Sequence, residues 1–250
     1  MFGYLCGQYP GLVGNLWSPG RGVTVWPFTP YALDNGAWVS FANQLEWSES
    51  RWRNLIDEVE RKPFRPLWAL VPDVVTDRER TIENWHRYAP VVQRAGISAA
   101  FAVQDGMSLE DIPYNADVIF VGGSTAWKWR TLESWCAAFP RVHVGRVNSY
   151  QKLIRCWEAG AESTDGTGWF RGRHRQLDGL IEFLDVVSGR KHYDRQGQLF
   201  SHQTPKRIAD SVAGNSGKIA YLRPPSVRRV VPTFESAMPL LLQAGLTEVD

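Results

Sequence analysis

The sequence predicts an α/β protein, a TIM-type (β/α)8 barrel in a single domain over residues 1–250, and three observations carry that expectation. From about residue 66, short apolar runs alternate with helix-like segments. The runs are apolar throughout rather than every second residue, as in parallel strands buried on both faces. Asp34, Asp73, Gln104, the Gly122-Gly123 pair, Gly145 and Asp165 each close such a run. In a barrel many strand ends converge on one site, whereas an open sheet gathers its ligand contacts at one switch point.

Taken in order, Pro66-Leu-Trp-Ala-Leu-Val-Pro-Asp73 reads as a buried strand. Thr76-Asp-Arg-Glu79 has the spacing of a capping box and opens a helix running towards Gly96. Further strands are expected over Ser98–Gln104, Asp117–Gly123, Arg141–Gly145 and Ala161–Asp165, with helices in the gaps. Ser149 caps a helix closed by Gly160, and an amphipathic helix is expected over 174–187 with Gly189 after it. Residues 1–30 and about 190–232 carry little periodicity; the second stretch reads as a loop elaboration, followed by a final helix at about 233–244.

The 44% hydrophobic content suffices for a sizeable core. Cys6, Cys136 and Cys156 are odd in number and lack both a CxxC pair and Cys/His ligand spacing, so neither a disulfide framework nor a metal site is expected. No run approaches a membrane span, and the N-terminal MFGYLCGQYPG lacks the pattern of a signal peptide, so a cytoplasmic location is expected. A net charge of +2 does not by itself point to nucleic acid. The basic residues cluster, however, in Phe170-Arg-Gly-Arg-His-Arg175 and around Arg223 and Arg228-Arg229, interleaved with Gly and Pro as in phosphate-contacting loops.

Two carboxylates at one barrel mouth are a minimal kit for glycosyl chemistry: one attacks the anomeric carbon and the other protonates the leaving atom. A single Asp after a strand more often caps the next helix, so the combined pattern matters. Asp34-Asn-Gly-Ala-Trp38, Val71-Pro-Asp73, Ala102-Val-Gln-Asp-Gly-Met107, Val121-Gly-Gly123, Val144-Gly145 and Glu162-Ser-Thr-Asp-Gly166 follow one another at separations resembling those of the tRNA-guanine transglycosylase (queuine tRNA-ribosyltransferase) superfamily.

The resemblance spans residues 30–175 and implies Asp165 as nucleophile and Asp34 as acid/base for the departing and arriving bases. It implies that Asp73 accepts the ring N–H and exocyclic amine of a guanine-like base, while Gln104 and the Gly123 amide meet its carbonyl. Gly122 and Gly145 belong to the same glycine segments, Trp38 takes the place of a base-stacking aromatic, and Val144 that of a side chain on the base's other face. Arg171, Arg173 and Arg175 are then candidates for the flanking phosphates.

The tRNA enzymes carry a zinc module after the nucleophile, and this chain has neither that cluster nor their length. It is most similar to the zinc-free 7-deazaguanine DNA transglycosylases of phage and bacterial DNA modification. That likeness implies exchange of guanine in DNA for a 7-deazaguanine, with no cofactor; tRNA is the alternative polymer, and a binding protein with a vestigial site the second alternative. Lys128, after the glycine pair, would repel a cationic aminomethyl group, which favours a neutral base such as 7-cyano-7-deazaguanine.

Overall fold

A computed structural model describes residues 1–27, 29–171, 174–191 and 218–222, with the side chains of 171, 174–175 and 218–222 left aside. Seven parallel strands form most of a barrel: β1 (Val13–Trp17), β2 (Tyr31–Leu33), β3 (Ala69–Leu70), β4 (Ala99–Val103), β5 (Val118–Val121), β6 (Val142–Val144) and β7 (Ser163–Gly166). Closure differs from the all-parallel expectation. An eighth strand, β8 (Lys218–Leu222), enters antiparallel between β7 and β1, pairing Asp165 with Ala220 and Asn15 with Ile219. A strand returning antiparallel needs no helical crossover, so no βα period announces it. It falls inside the stretch read from sequence as a loop elaboration; the helix expected at 233–244 lies outside the described residues.

Helices cover the barrel because each carries one apolar stripe. In α3 (Glu49–Glu60), Trp52, Leu55, Ile56 and Val59 recur at three- and four-residue spacing and are all buried. In α4 (Arg78–Arg94) the stripe is Thr81, Trp85, Tyr88, Ala89 and Val92. Its N-cap is Asp77, whose side chain accepts from the Arg80 N–H at 2.9 Å. Thr76, the cap expected from sequence, instead has φ 66° and gives its N–H to Gln104 Oε1. After α5 (Thr125–Ala138), α6 (Tyr150–Ala159) ends on Gly160 at φ 102°, as its sequence predicts. The short α7 (Gly168–Arg171) follows β7, and α8 (His174–Val187) occupies the residues expected of it. The first strands are preceded and joined by α1 (Phe2–Gln8) and, after β2, by α2 (Ala37–Ala42).

Strand residues alternate between two packed layers. Leu16, Ala32, Trp68, Leu70, Ala100, Ala102 and Val118 fill the barrel interior with Phe120 against them. Val13, Leu33, Ala69, Val71, Phe101, Val103, Ile119, Val121, Val142 and Val144 face the helices. Each fully buried aliphatic or aromatic side chain contributes about 1.5–3 kcal/mol, so both layers resist a one-residue slip that would exchange them. Among the described residues no helix is long and apolar enough to cross a membrane.

Candidate active site

The same alternation determines what reaches the barrel mouth. Two residues beyond Leu16, Ala32, Ala102 and Phe120 come Ser18, Asp34, Gln104 and Gly122; two beyond His143 and Ser163 come Gly145 and Asp165. These positions share the inward phase at the carboxyl ends of their strands, where barrel enzymes build their sites. The two glycines keep the ring of side chains open. A Cβ on Gly145 would sit 2.9 Å from the Phe120 ring, and one on Gly122 3.1 Å from the Val103 carbonyl oxygen.

Asp34 and Asp73 follow the neighbouring strands β2 and β3, and the hydroxyl of Ser18 donates to Asp34 Oδ2 at 2.8 Å. Asp73 takes one side-chain amide on each oxygen: Asn35 Nδ2 donates to Oδ1 at 2.7 Å and Gln104 Nε2 to Oδ2 at 2.6 Å. Burial pushes the Asp73 carboxyl up to about 6, opposed by the Asn35 hydrogen bond and reinforced by the charge of Asp34. Asn35 is itself buried and locked, donating also to the Val71 carbonyl and accepting from the Ala37 N–H, while its own carbonyl takes the Trp47 indole N–H. The sequence reading passed over Asn35, although it stands inside the Asp34–Trp38 segment.

Asp165 is 3% exposed and held from β6. Its Oδ1 accepts the Arg146 backbone N–H at 2.9 Å, and its Oδ2 lies 3.4 Å from His143 Nε2. Arg146 adopts φ 61°, an uncommon conformation for a residue with a Cβ, and the bond to Asp165 is one reason the strand end holds it there. Its guanidinium crosses the mouth, donates to the Gly123 carbonyl and stands 4.0 Å over the Trp38 ring. Burial lowers the guanidinium from its usual value, while Asp165, Asp105 and Asp73 counter that effect through their charges. Trp38 is 40% exposed on α2, next to the mouth.

Several sequence expectations are corrected. Val144 packs in the outer layer with Val142; the β6 residue facing the interior is His143, so Val144 does not present its side chain to the mouth. Lys128 is 2% exposed, donates to the Gly145 carbonyl beneath the strand end, and is pushed down to about 8, chiefly by burial. It is therefore not an open charge beside a bound ring. Gly123, at φ 65°, is fixed by close packing: an added Cβ would meet Asp105 Oδ2 and Trp127, each at 2.7 Å. The side chains of Arg171, Arg173 and Arg175, and Arg223, Arg228 and Arg229, lie outside the described residues.

His143, Ser163 and Asp165 have the residue types of a hydrolytic triad in an order that does not serve hydrolysis. Ser163 is 1% exposed and lies a layer deeper than Asp165, two residues back along the strand from the barrel mouth. No group of three or more His, Cys, Asp or Glu able to hold a metal occurs among the described residues, and all three cysteines are buried thiols.

Fold and site together define an α/β barrel whose mouth gathers carboxylates, one of them held between two side-chain amides, and an exposed indole. No family model, curated protein or solved structure matches the chain.

Proposed function

We propose that this protein is a base-exchanging pentosyltransferase that replaces guanine in DNA with a 7-deazaguanine. The observation that carries the reading is the placing at one barrel mouth of Asp165, held by the Arg146 backbone N–H with His143 beside it, and of the Asp34, Asp73 and Gln104 group that follows β2, β3 and β4.

The chemistry follows in two balanced displacements. Asp165 attacks C1′ of the flipped-out nucleotide while the bond to the base nitrogen breaks, and Asp34 gives that nitrogen its proton. The incoming base then loses its ring proton to Asp34 and attacks C1′ from the original face, expelling the Asp165 carboxylate with net retention. Asp73 accepts donors from the base edge. Each carboxylate oxygen accepts more than one hydrogen bond, so the Asn35 and Gln104 amides orient Asp73 without exhausting it. The second N–H of Gln104 serves the base carbonyl. Trp38 supplies a stacking face, worth about 1–3 kcal/mol, which helps offset unstacking of the target.

DNA is favoured over tRNA by the likeness to zinc-free DNA enzymes. The guanidinium of Arg146, which crosses the mouth, favours an uncharged 7-substituent such as cyano over an ammonium. Purified protein incubated with labelled 7-cyano-7-deazaguanine and either plasmid DNA or bulk tRNA, followed by digestion to nucleosides, tests the proposal. Label is expected in deoxynucleosides. Label confined to ribonucleosides transfers the activity to tRNA; release of free guanine without uptake makes the protein a hydrolase; binding without either leaves a vestigial site.

A further inference from the structure

We propose that His143 is a positioning residue that holds the Asp165 carboxylate for attack through a proton on Nε2, with Ser163 selecting that tautomer. The inference rests on Asp165 being the nucleophile. His143 and Ser163 are register partners on β6 and β7, and Asp165 lies two residues on, in the same inward phase. The ring is fully buried, with Trp68 at 4.7 Å and Phe120 at 4.9 Å between centroids, so neighbours on two sides fix its plane. Nδ1 lies 2.7 Å from Ser163 Oγ and Nε2 3.4 Å from Asp165 Oδ2.

A neutral imidazole carries one N–H. With the proton on Nε2, the ring donates to the carboxylate and Nδ1 accepts the Ser163 hydroxyl proton, so both contacts join a donor to an acceptor. With the proton on Nδ1, the Nε2 lone pair faces a carboxylate oxygen, and that contact is repulsive. The first arrangement gives Asp165 a donor on each oxygen, His143 on Oδ2 and the Arg146 backbone N–H on Oδ1, which sets the plane of the carboxylate towards the mouth. His143 keeps its proton throughout; no step transfers one through it. Such orienting partners of a reactive ligand or nucleophile are typically worth about 10–100-fold in activity.

The test uses the full chain labelled with 15N-histidine, the His143 signals being assigned by their loss in His143→Phe. A protonated Nε2 is expected, and a bare Nε2 overturns the proposal; loss of the same signals in His143→Gln supplies the assignment should His143→Phe fail to fold. In exchange assays His143→Phe, which keeps a ring between Trp68 and Phe120, is expected to lower kcat by about 100-fold with KM for DNA within about twofold. His143→Gln, which can present an N–H to Asp165, should recover about tenfold of that loss. Wild-type kcat in folded His143→Phe overturns the proposal while Asp165 stands. Continued exchange by Asp165→Asn instead removes the nucleophile itself, and that result is separate from either outcome at His143.

Discussion

Replacing Asp73 by Asn removes a charge that the fold has desolvated. The Asp73 carboxyl moves from its usual 3.8 to about 6, chiefly through burial, and each unit corresponds to about 1.36 kcal/mol. Because the folded-state value is raised, the stability this group contributes is fully present below the unfolded value. It is lost as pH rises through 6. Integrating between pH 4 and pH 8 gives a loss of about 2 kcal/mol in the wild type that Asp73→Asn does not share. The variant also sets an NH2 against one of the two amides now donating to Asp73 at 2.7 and 2.6 Å, a cost of about 1–3 kcal/mol. That cost does not vary with pH, so it cancels in the comparison. Urea unfolding of both proteins from pH 4 to pH 8 should show the wild-type advantage shrinking by about 2 kcal/mol across the range. Parallel curves would refute the assignment of a raised carboxyl to this residue. The same titration should appear in function. Base binding needs the ionised acceptor, so kcat/KM for exchange should rise through an acid limb near pH 6. Asp73→Asn should weaken base binding by about 100-fold to 10,000-fold, corresponding to two lost hydrogen bonds to a charged group.

Asp165→Asn is expected to abolish exchange, because an amide of the same shape forms no glycosyl ester; absence of the covalent protein–DNA adduct trapped on a denaturing gel reads this directly. Trp38→Ala should weaken the free base by roughly tenfold or more through lost stacking. Arg146→Ala should tighten the base by about threefold to tenfold, since the guanidinium 4.0 Å from the indole must leave that face first; calorimetric titration distinguishes the two, and weaker binding by Arg146→Ala would make the arginine a contact of the base. For stability, Gly166→Ala is expected to cost about 2–3 kcal/mol, because its Cβ would collide with the Val147 carbonyl and lie 2.6 Å from both Asn148 Oδ1 and Trp169 Nε1. Gly160→Ala meets nothing within 4 Å and should cost only the roughly 1 kcal/mol of a left-handed residue, which thermal unfolding of the pair can compare.

What the sequence determined is what local periodicity encodes. Apolar runs fixed β3 to β7 to within a few residues, and the apolar stripe with its following glycine fixed α8 over 174–187. The chain order of polar strand ends placed Asp34, Asp73, Gln104, Gly122, Gly145 and Asp165 at one mouth, because a parallel barrel points every such end the same way. Tertiary structure decided everything that depends on phase and on distant pairing. A run such as Arg141-Val-His-Val-Gly145 does not disclose which residues face inward, so Val144 was expected at the mouth and His143 was overlooked. Asn35 meets Asp73, and Arg146 meets Asp165, only when segments holding residues 38 and 19 positions apart in sequence are brought side by side. Lys128 lies in a helix whose rotation over the barrel buries its ammonium against Gly145. Barrel closure is the clearest instance: β8 takes its register from Val13–Leu16 and Ser163–Gly166, so its order comes from hydrogen bonds to partners far away in the chain, and its own five residues carry no signal of where they pair.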